Sequence, residues 1–386
     1  MTRLLVARTA ARAAGAAGGG SYFPPPGPAS GRYQGFASFS AAVACALALL
    51  PSPRALSQAP ADQGRIVGLA FVGRMVSDLD RSVAFYKAVG FSQDPAADPE
   101  WRRDEVVEHL YHVKGIQTRM AKMYVVNSAS GQHFAVYLRE LKGIPRANRS
   151  DHTAWDPGVT HFGIVVPDAN RTWSELKANG MLRARSWGGE LIAPPGQTRG
   201  MLAYMTDPDG LDIEIIDQRP ATPAQDGRPG RPAFVPGITH VGLVVLDSDK
   251  ARSFYGTLFG GQLLSQEAPW LKGDFYDSAV GGHGNILRFF NESFPEAGSQ
   301  TARLYEELVE FQNRKKPPLT AKITDIGVGY VGYEVEGLDA FVARARSAGA
   351  KMVSDGIVTM KSGTREVMVR DPDVGGFVEL FEHPKK

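Results

Sequence analysis

An apolar run that occurs twice organises the pattern of hydrophobic and polar positions. Gly158-Val-Thr-His-Phe-Gly-Ile-Val-Val166 nearly repeats as Gly237-Ile-Thr-His-Val-Gly-Leu-Val-Val245. Both runs are rich in β-branched residues, follow a Pro and precede an Asp, which predicts buried strands. A short amphipathic helix follows each: Arg171–Gly180 after Asp168, and the stretch through Tyr255 after Asp247. Each Asp is placed to cap its helix. Arg65–Val76 with Leu79–Gly90, and Gly329–Val335 with Leu338–Gly349, show the same strand-then-helix order. Asp207-Pro208-Asp209-Gly210 and Asp371-Pro372-Asp373 predict tight turns inside closing hairpins. Arg303–Lys316 is predicted as an additional amphipathic helix, a packing helix or a lid.

Spacing turns these similarities into a four-unit repeat. Aligned on their capping Asp or closing Gly, the units place Phe71, His161, His240 and Tyr330 at one position. Phe71 and His161 are 90 residues apart, as are His240 and Tyr330. Units one and two are therefore expected to pair, and three and four likewise. The expected division is a targeting segment over 1–61, a first domain over 62–219, a Pro/Gly-rich linker over 220–235 and a second domain over 236–386. The fold class is α+β, with four modules in two mixed-sheet domains.

Composition narrows the function. The chain has 386 residues, net charge +2 and 43% hydrophobic content, which gives no global charge for nucleic acid or an anionic surface. Its one cysteine, Cys45, lies in the first 61 residues, so the rest carries neither a disulfide nor a thiolate site. Those 61 residues lack Asp and Glu, carry several Arg, and include the apolar run Ala41–Leu50 before Ala55-Leu56-Ser57. That layout predicts a signal peptide cleaved near Ser57 and export to the periplasm or medium, with an organelle transit peptide as the alternative. The run is too short to span a bilayer.

Strand–helix–three-strand units, paired, with His on the first strand and Glu on the last, resemble the vicinal oxygen chelate superfamily. Its members include glyoxalase I, bleomycin-resistance proteins and extradiol dioxygenases. The resemblance covers about residues 64–384 and implies four βαβββ modules forming two cup-shaped sheets, with a divalent metal inside. It places Glu214 and Glu379 at the family's carboxylate-ligand position and His161 and His240 at its histidine position. Phe71 and Tyr330 stand where two further histidines would be. Such a metal polarises adjacent substrate oxygens, stabilising an enediolate in lyases or activating O₂ in dioxygenases.

The expected working site is the second domain, with His240 and Glu379 as ligands and Tyr330 as third ligand or proton donor; His240 and Tyr330 are the catalytic candidates. His161 and Glu214 would form the first-domain set. His133 and His283 are additional metal candidates, each placed on a presumed last strand. Fe(II) is the metal expected first, with Zn(II), Mn(II) or Ni(II) as alternatives. His109 and His112 are expected on an exposed helical face, and Phe85, Tyr86, Phe254 and Tyr255 in the core. The expected function is a metal-dependent dioxygenase, lyase or isomerase acting on a small oxygenated or aromatic substrate. The alternative is a non-catalytic binding protein with degraded metal sites. A small molecule is the expected partner, with no nucleic acid, no membrane span, and homodimerisation left open.

Overall fold

A computed structural model describes residues 63–95, 99–128, 130–193, 202–218, 236–264, 268–298 and 303–385. The expected targeting segment with Cys45, and the whole of the linker, lie outside the described residues. Among those residues no helix is long and apolar enough to cross a membrane.

All four modules are present. Module one comprises β1 (Arg65–Val76), a helix over Leu79–Val89, β2 (Ser92–Gln93), a helix over Glu105–Leu110, β3 (Gln117–Val126) and β4 (His133–Lys142). Module two has β5 (Gly158–Val166), a helix over Ala169–Ala178, β6 (Leu202–Thr206) and β7 (Asp212–Asp217). Module three opens with β8 (Gly237–Val245) and a helix over Ser248–Arg252 that widens into a π-turn through Leu258. It continues through β9 (Gln262–Leu263), β10 (Leu271–Lys272) and a helix over Asp274–Val280 to β11 (Ile286–Pro295) and β12 (Arg303–Phe311). Module four has β13 (Gly329–Glu336), a helix over Leu338–Ser347, β14 (Lys351–Met352), β15 (Val358–Thr359), β16 (Arg365–Arg370) and β17 (Phe377–Glu382). The predicted caps form: the carboxylates of Asp78, Asp168 and Asp247 accept from first-turn N–H groups, and Gly90 closes its helix at φ 113°.

The modules pair differently from the expectation. One sheet runs β14-β16-β17-β13-β1-β4-β3-β2 and the other β10-β11-β12-β8-β5-β7-β6. Module one therefore shares a sheet with module four, and module two with module three. The equal 90-residue intervals mark which modules look alike, whereas pairing depends on which first strands meet edge to edge, and intervals carry no information on that. The seams are antiparallel, β1 against β13 and β5 against β8, and each first strand has its own module's last strand parallel on its other side.

Covalent neighbours still meet through their turns. Arg74, fully buried, donates to both carboxylate oxygens of Asp207 at 3.2 Å and to the Asp209 carbonyl at 3.1 Å, and Tyr86 donates to Asp207 at 3.1 Å. In the other half, the Asp373 carboxylate accepts from the N–H groups of Leu246 and Asp247. The largest apolar cluster draws on all four modules, among them Leu69, Phe162, Val241 and Val331, and on the expected core aromatics Phe85, Tyr86, Phe254 and Tyr255.

Arg303–Phe311 is a strand, not the expected helix. Leu304, Leu308 and Phe311 mimic helical spacing, but the segment alternates: Leu304, Glu306 and Leu308 turn to one face while Tyr305, Glu307 and Val309 turn to the other. Glu306 is paired directly across the ladder with Glu292, and both are fully buried. Tyr333 donates to one oxygen of Glu306, and neither oxygen of Glu292 has a partner.

Two outcomes follow from this packing. Arg74→Met strands a buried carboxylate and is expected to cost about 3–5 kcal/mol of unfolding free energy, read by denaturant titration; a loss below about 1 kcal/mol contradicts the role. Burial, reinforced at Glu292 by the charge of Glu306, pushes both carboxyls up to about 8. An unfolded Glu titrates near 4.3, so the folded state holds these protons more tightly. Their stabilisation is complete below that value and is lost as pH rises through about 8. The double variant Glu292→Gln/Glu306→Gln is expected to flatten the fall in stability between pH 6 and 9; an unchanged slope contradicts it.

Candidate metal centre

The seam between β5 and β8 builds the site. Its register sets His161 opposite Gly242 and His240 opposite Gly163. Each Gly lies two residues beyond the His of its own strand, so both point to one face. A Cβ on Gly242 would overlap the His161 ring, and a Cβ on Gly163 would overlap the His240 ring. The Thr-His-x-Gly pattern is thus a reciprocal slot, in which each strand's missing side chain receives the other's imidazole.

The Thr completes the device. Thr239 Oγ1 lies 3.1 Å from the Gly163 carbonyl and 2.9 Å from His240 Nδ1. A hydroxyl has one proton; given to the carbonyl, it leaves the oxygen free to accept from Nδ1–H, where the Tyr305 hydroxyl also lies 3.2 Å away, and Nε2 faces the other imidazole and Glu214. Thr160 stands in the same relation to Gly242 and His161, at 3.5 and 3.4 Å. Both Nε2 atoms face the same point, 3.2 Å apart.

Two carboxylates close on that point from the flanking strands. Gly163 is in register with Glu214 on β7, and Gly242 with Glu307 on β12. The contacts cross between modules: Glu307 Oε2 is 3.3 Å from His161 Nε2, and Glu214 Oε2 is 3.3 Å from His240 Nε2. Metal–ligand bonds of about 2.1 Å put adjacent donor atoms about 3.0 Å apart at a right angle and about 3.4 Å apart at a tetrahedral angle. The three measured spacings, His161–His240, His161–Glu307 and His240–Glu214, each match adjacent donors on one divalent cation, and Glu214 meets the group through His240. His161, His240 and Glu307 also form the one group of three or more metal-competent donors among the described residues.

The electrostatics couple the same groups as charged imidazole–carboxylate pairs. Burial pulls the His240 imidazole down, but hydrogen bonding to Glu214 and the charges of Glu307 and Glu214 lift it above its ordinary value. Burial pushes Glu307 up, and contact with His161 and the charges of both imidazoles bring it below the usual carboxylate range. Tyr305 stacks on His240 with ring centroids 5.1 Å apart, and Tyr204 meets His161 edge-on at 5.5 Å. Burial first, then the Glu214 and Glu307 charges, push both phenols well above 10, so they remain protonated.

The other sheet repeats the seam without the donors. Phe71 faces Gly332 and Tyr330 faces Gly73, and a Cβ on either Gly would overlap the facing ring. The four positions aligned from spacing are therefore the four seam positions. Tyr137 occupies the place of Glu307, and Glu379 that of Glu214. Phe71 stacks on Tyr137 at 4.3 Å and on Phe381 at 5.8 Å, and Tyr111, just after the Glu105–Leu110 helix, reaches Tyr330 with 3.4 Å between hydroxyls. Burial, then the Glu366 charge, push the Glu379 carboxyl well up, with Arg139 pulling against them.

Several expected groupings change accordingly. Tyr330 and Glu379 lie in one sheet and His240 in the other, so the expected second-domain set does not form; His240 joins His161 and Glu214 instead. His133 is exposed at the start of β4 against Tyr124. His283 lies in the turn before β11, with its ring centroid 3.7 Å from that of Trp187. Neither reaches the centre. His109 and His112 are both exposed and both bind Asp355, but only His109 lies on a helix; His112 follows its end in left-handed backbone at φ 49°. Glu307 was hidden by the helix expected over Arg303–Lys316; a strand reading places it two residues beyond Tyr305, facing Gly242.

The slot and its hydroxyl give a direct test. Thr239→Val removes the group that orients His240 and is expected to weaken metal binding about 10- to 100-fold, with Gly242→Ala having at least as large an effect by displacing His161. Titration calorimetry on folded variants checks this; affinities within about twofold of the parent contradict it.

Comparison with known proteins comes to the same fold. No curated protein matches the chain. A glyoxalase I variant from Zea mays superposes with a TM-score of 0.50 at 16% identity, covering 83% of this chain and 94% of that one. Glyoxalase I from Zea mays gives 0.48 at 17% identity, over 83% and 92%. The family pattern matches twice, over residues 68–215 and 237–376, which together make up most of the chain. The chain belongs to the Glyoxalase/Bleomycin resistance protein/Dioxygenase superfamily.

Proposed function

We propose that this protein is a metal-dependent lyase or isomerase that moves a proton on a small substrate with two adjacent oxygens. His161, Glu214, His240 and Glu307 are its metal ligands. The observation that carries this reading is the pair of carboxylates, each 3.3 Å from an imidazole nitrogen of the other module. O₂-activating iron sites use two His and one carboxylate; the second carboxylate here supplies a base. Imidazole and carboxylate donors suit Zn(II), Ni(II), Mn(II) or Fe(II).

A bound divalent cation would polarise the substrate's adjacent oxygens and acidify the neighbouring C–H bond. The two imidazoles, fixed by Thr160 and Thr239, hold the donor geometry. The Glu214 and Glu307 side chains keep 13% and 16% of their surface exposed, so substrate can reach either carboxylate. One of them accepts the proton and returns it to the adjacent carbon. Tyr204 and Tyr305 keep their protons and wall the imidazoles from water. The sheet of modules one and four takes a structural role, since Phe71, Tyr137 and Tyr330 offer no imidazole or carboxylate where three of the ligands would be.

Titration of the metal-free full chain with Zn(II), Ni(II) or Mn(II) is expected to give one equivalent bound. His161→Ala and Glu307→Gln lower that affinity by about 100-fold, while Glu379→Ala leaves it within twofold. Loss of binding in Glu379→Ala, or full retention in Glu307→Gln, overturns the assignment. Metal-dependent deuterium exchange at the C–H beside the carbonyl of 2-hydroxycarbonyl compounds, followed by proton NMR, tests the chemistry.

A further inference from the structure

The four modules allow an internal comparison of the residue that each last strand sets beside its seam position. In register with Phe71, His161, His240 and Tyr330 are Ala135, Asp212, Tyr305 and Phe377. These four lie two residues before Tyr137, Glu214, Glu307 and Glu379, and so on the same face. Of the four, Tyr305 brings a hydroxyl to its seam partner. That hydroxyl is 3.2 Å from His240 Nδ1 and also bonds the Thr239 side chain. The phenol ring lies along the imidazole, tilted by 19° with centroids 5.1 Å apart.

His161 is held differently. Asp212, in the matching place, accepts from Arg185, which donates in turn to the His152 carbonyl. Thr160 Oγ1 is 3.4 Å from His161 Nδ1, against 2.9 Å between Thr239 and His240. Tyr204 presents a ring edge to His161 where Tyr305 presents a face to His240. Two oxygens therefore converge on His240 Nδ1, and a ring turned over would set a carbon against both of them. One longer contact opposes the same rotation at His161.

We propose that Tyr305 is a positioning residue that locks the His240 ring, making His240 the fixed imidazole of the pair and His161 the movable one. This rests on the metal centre proposed above, although the contact itself needs no metal and is tested without it. Imidazole N–H signals of the ¹⁵N-labelled full chain, assigned by their loss in His161→Gln and His240→Gln, give the first reading. In the metal-free chain the His240 Nδ1–H is expected to exchange with water about 3- to 10-fold more slowly than that of His161. Tyr305→Phe keeps the ring and removes the hydroxyl. It should bring His240 to the His161 rate and weaken Zn(II) binding about tenfold, while Tyr204→Phe leaves both readings within about twofold of the parent. A purely structural role would lower the melting temperature without moving the Nδ1 signal, and the backbone signals report that each variant folds. A His240 Nδ1–H that exchanges no more slowly than that of His161, or a signal or Zn(II) affinity unchanged in Tyr305→Phe, overturns the role of Tyr305 while the metal centre stands. Failure of the parent chain to take up Zn(II), with the His240 signal behaving as expected, overturns the centre and leaves the hold of Tyr305 on His240 in place.

Discussion

Each imidazole of the β5–β8 seam lies where the facing strand has only a glycine. That steric reciprocity lets two rings from two modules occupy one face without spreading the strands. It also brings the Nε2 atoms to 3.2 Å, which neither strand achieves alone. The remaining parts of the site follow from the register. Parallel last strands deliver Glu214 and Glu307 beside the two glycines, and the threonines fix which ring nitrogen faces inward. Side-chain alternation sends Glu306, next to Glu307 in sequence, to the opposite face, where it meets Glu292 and Tyr333.

Four modules with one seam geometry give two chemically different faces. In modules two and three the seam positions hold donors, and the surrounding aromatics stay partly open. In modules one and four, Phe71 stacks on Tyr137 and meets Tyr330 edge-on, Tyr111 reaches the Tyr330 hydroxyl, and the buried Arg139 lies over the Tyr111 ring. The charges of Glu379 and Glu366 act on that guanidinium, whose hydrogen bonds go to Thr118 and Met120. The half that lost donors gained packing, while the other keeps two carboxylates against two imidazoles at a stability cost that a cation offsets.

Much of this was legible in the sequence. The module count, helix caps, Asp-Pro-Asp turns and seam positions all follow from short-range patterns, since each depends on residues close along the chain. The repeated strand singles out His161 and His240, and the family resemblance adds Glu214 as a candidate ligand. The pairing of modules was not legible, because it depends on which strand edges meet. That error placed His240 with Glu379 and Tyr330. Glu307 was missed because Arg303–Phe311 spaces its leucines like a helix and carries two buried glutamates on the face that should read apolar. The buried Glu292–Glu306 pair broke the alternation that would have marked the strand. His133 and His283 looked equivalent only while both were placed on closing strands.

The central claim is that modules two and three, not one and four, hold the metal. Anomalous difference density from crystals of the metal-loaded full chain tests this most directly. One peak is expected, within bonding distance of His161 Nε2, His240 Nε2 and the carboxylates of Glu214 and Glu307. A peak at Glu379, or one touching a single histidine of the seam, would contradict the account.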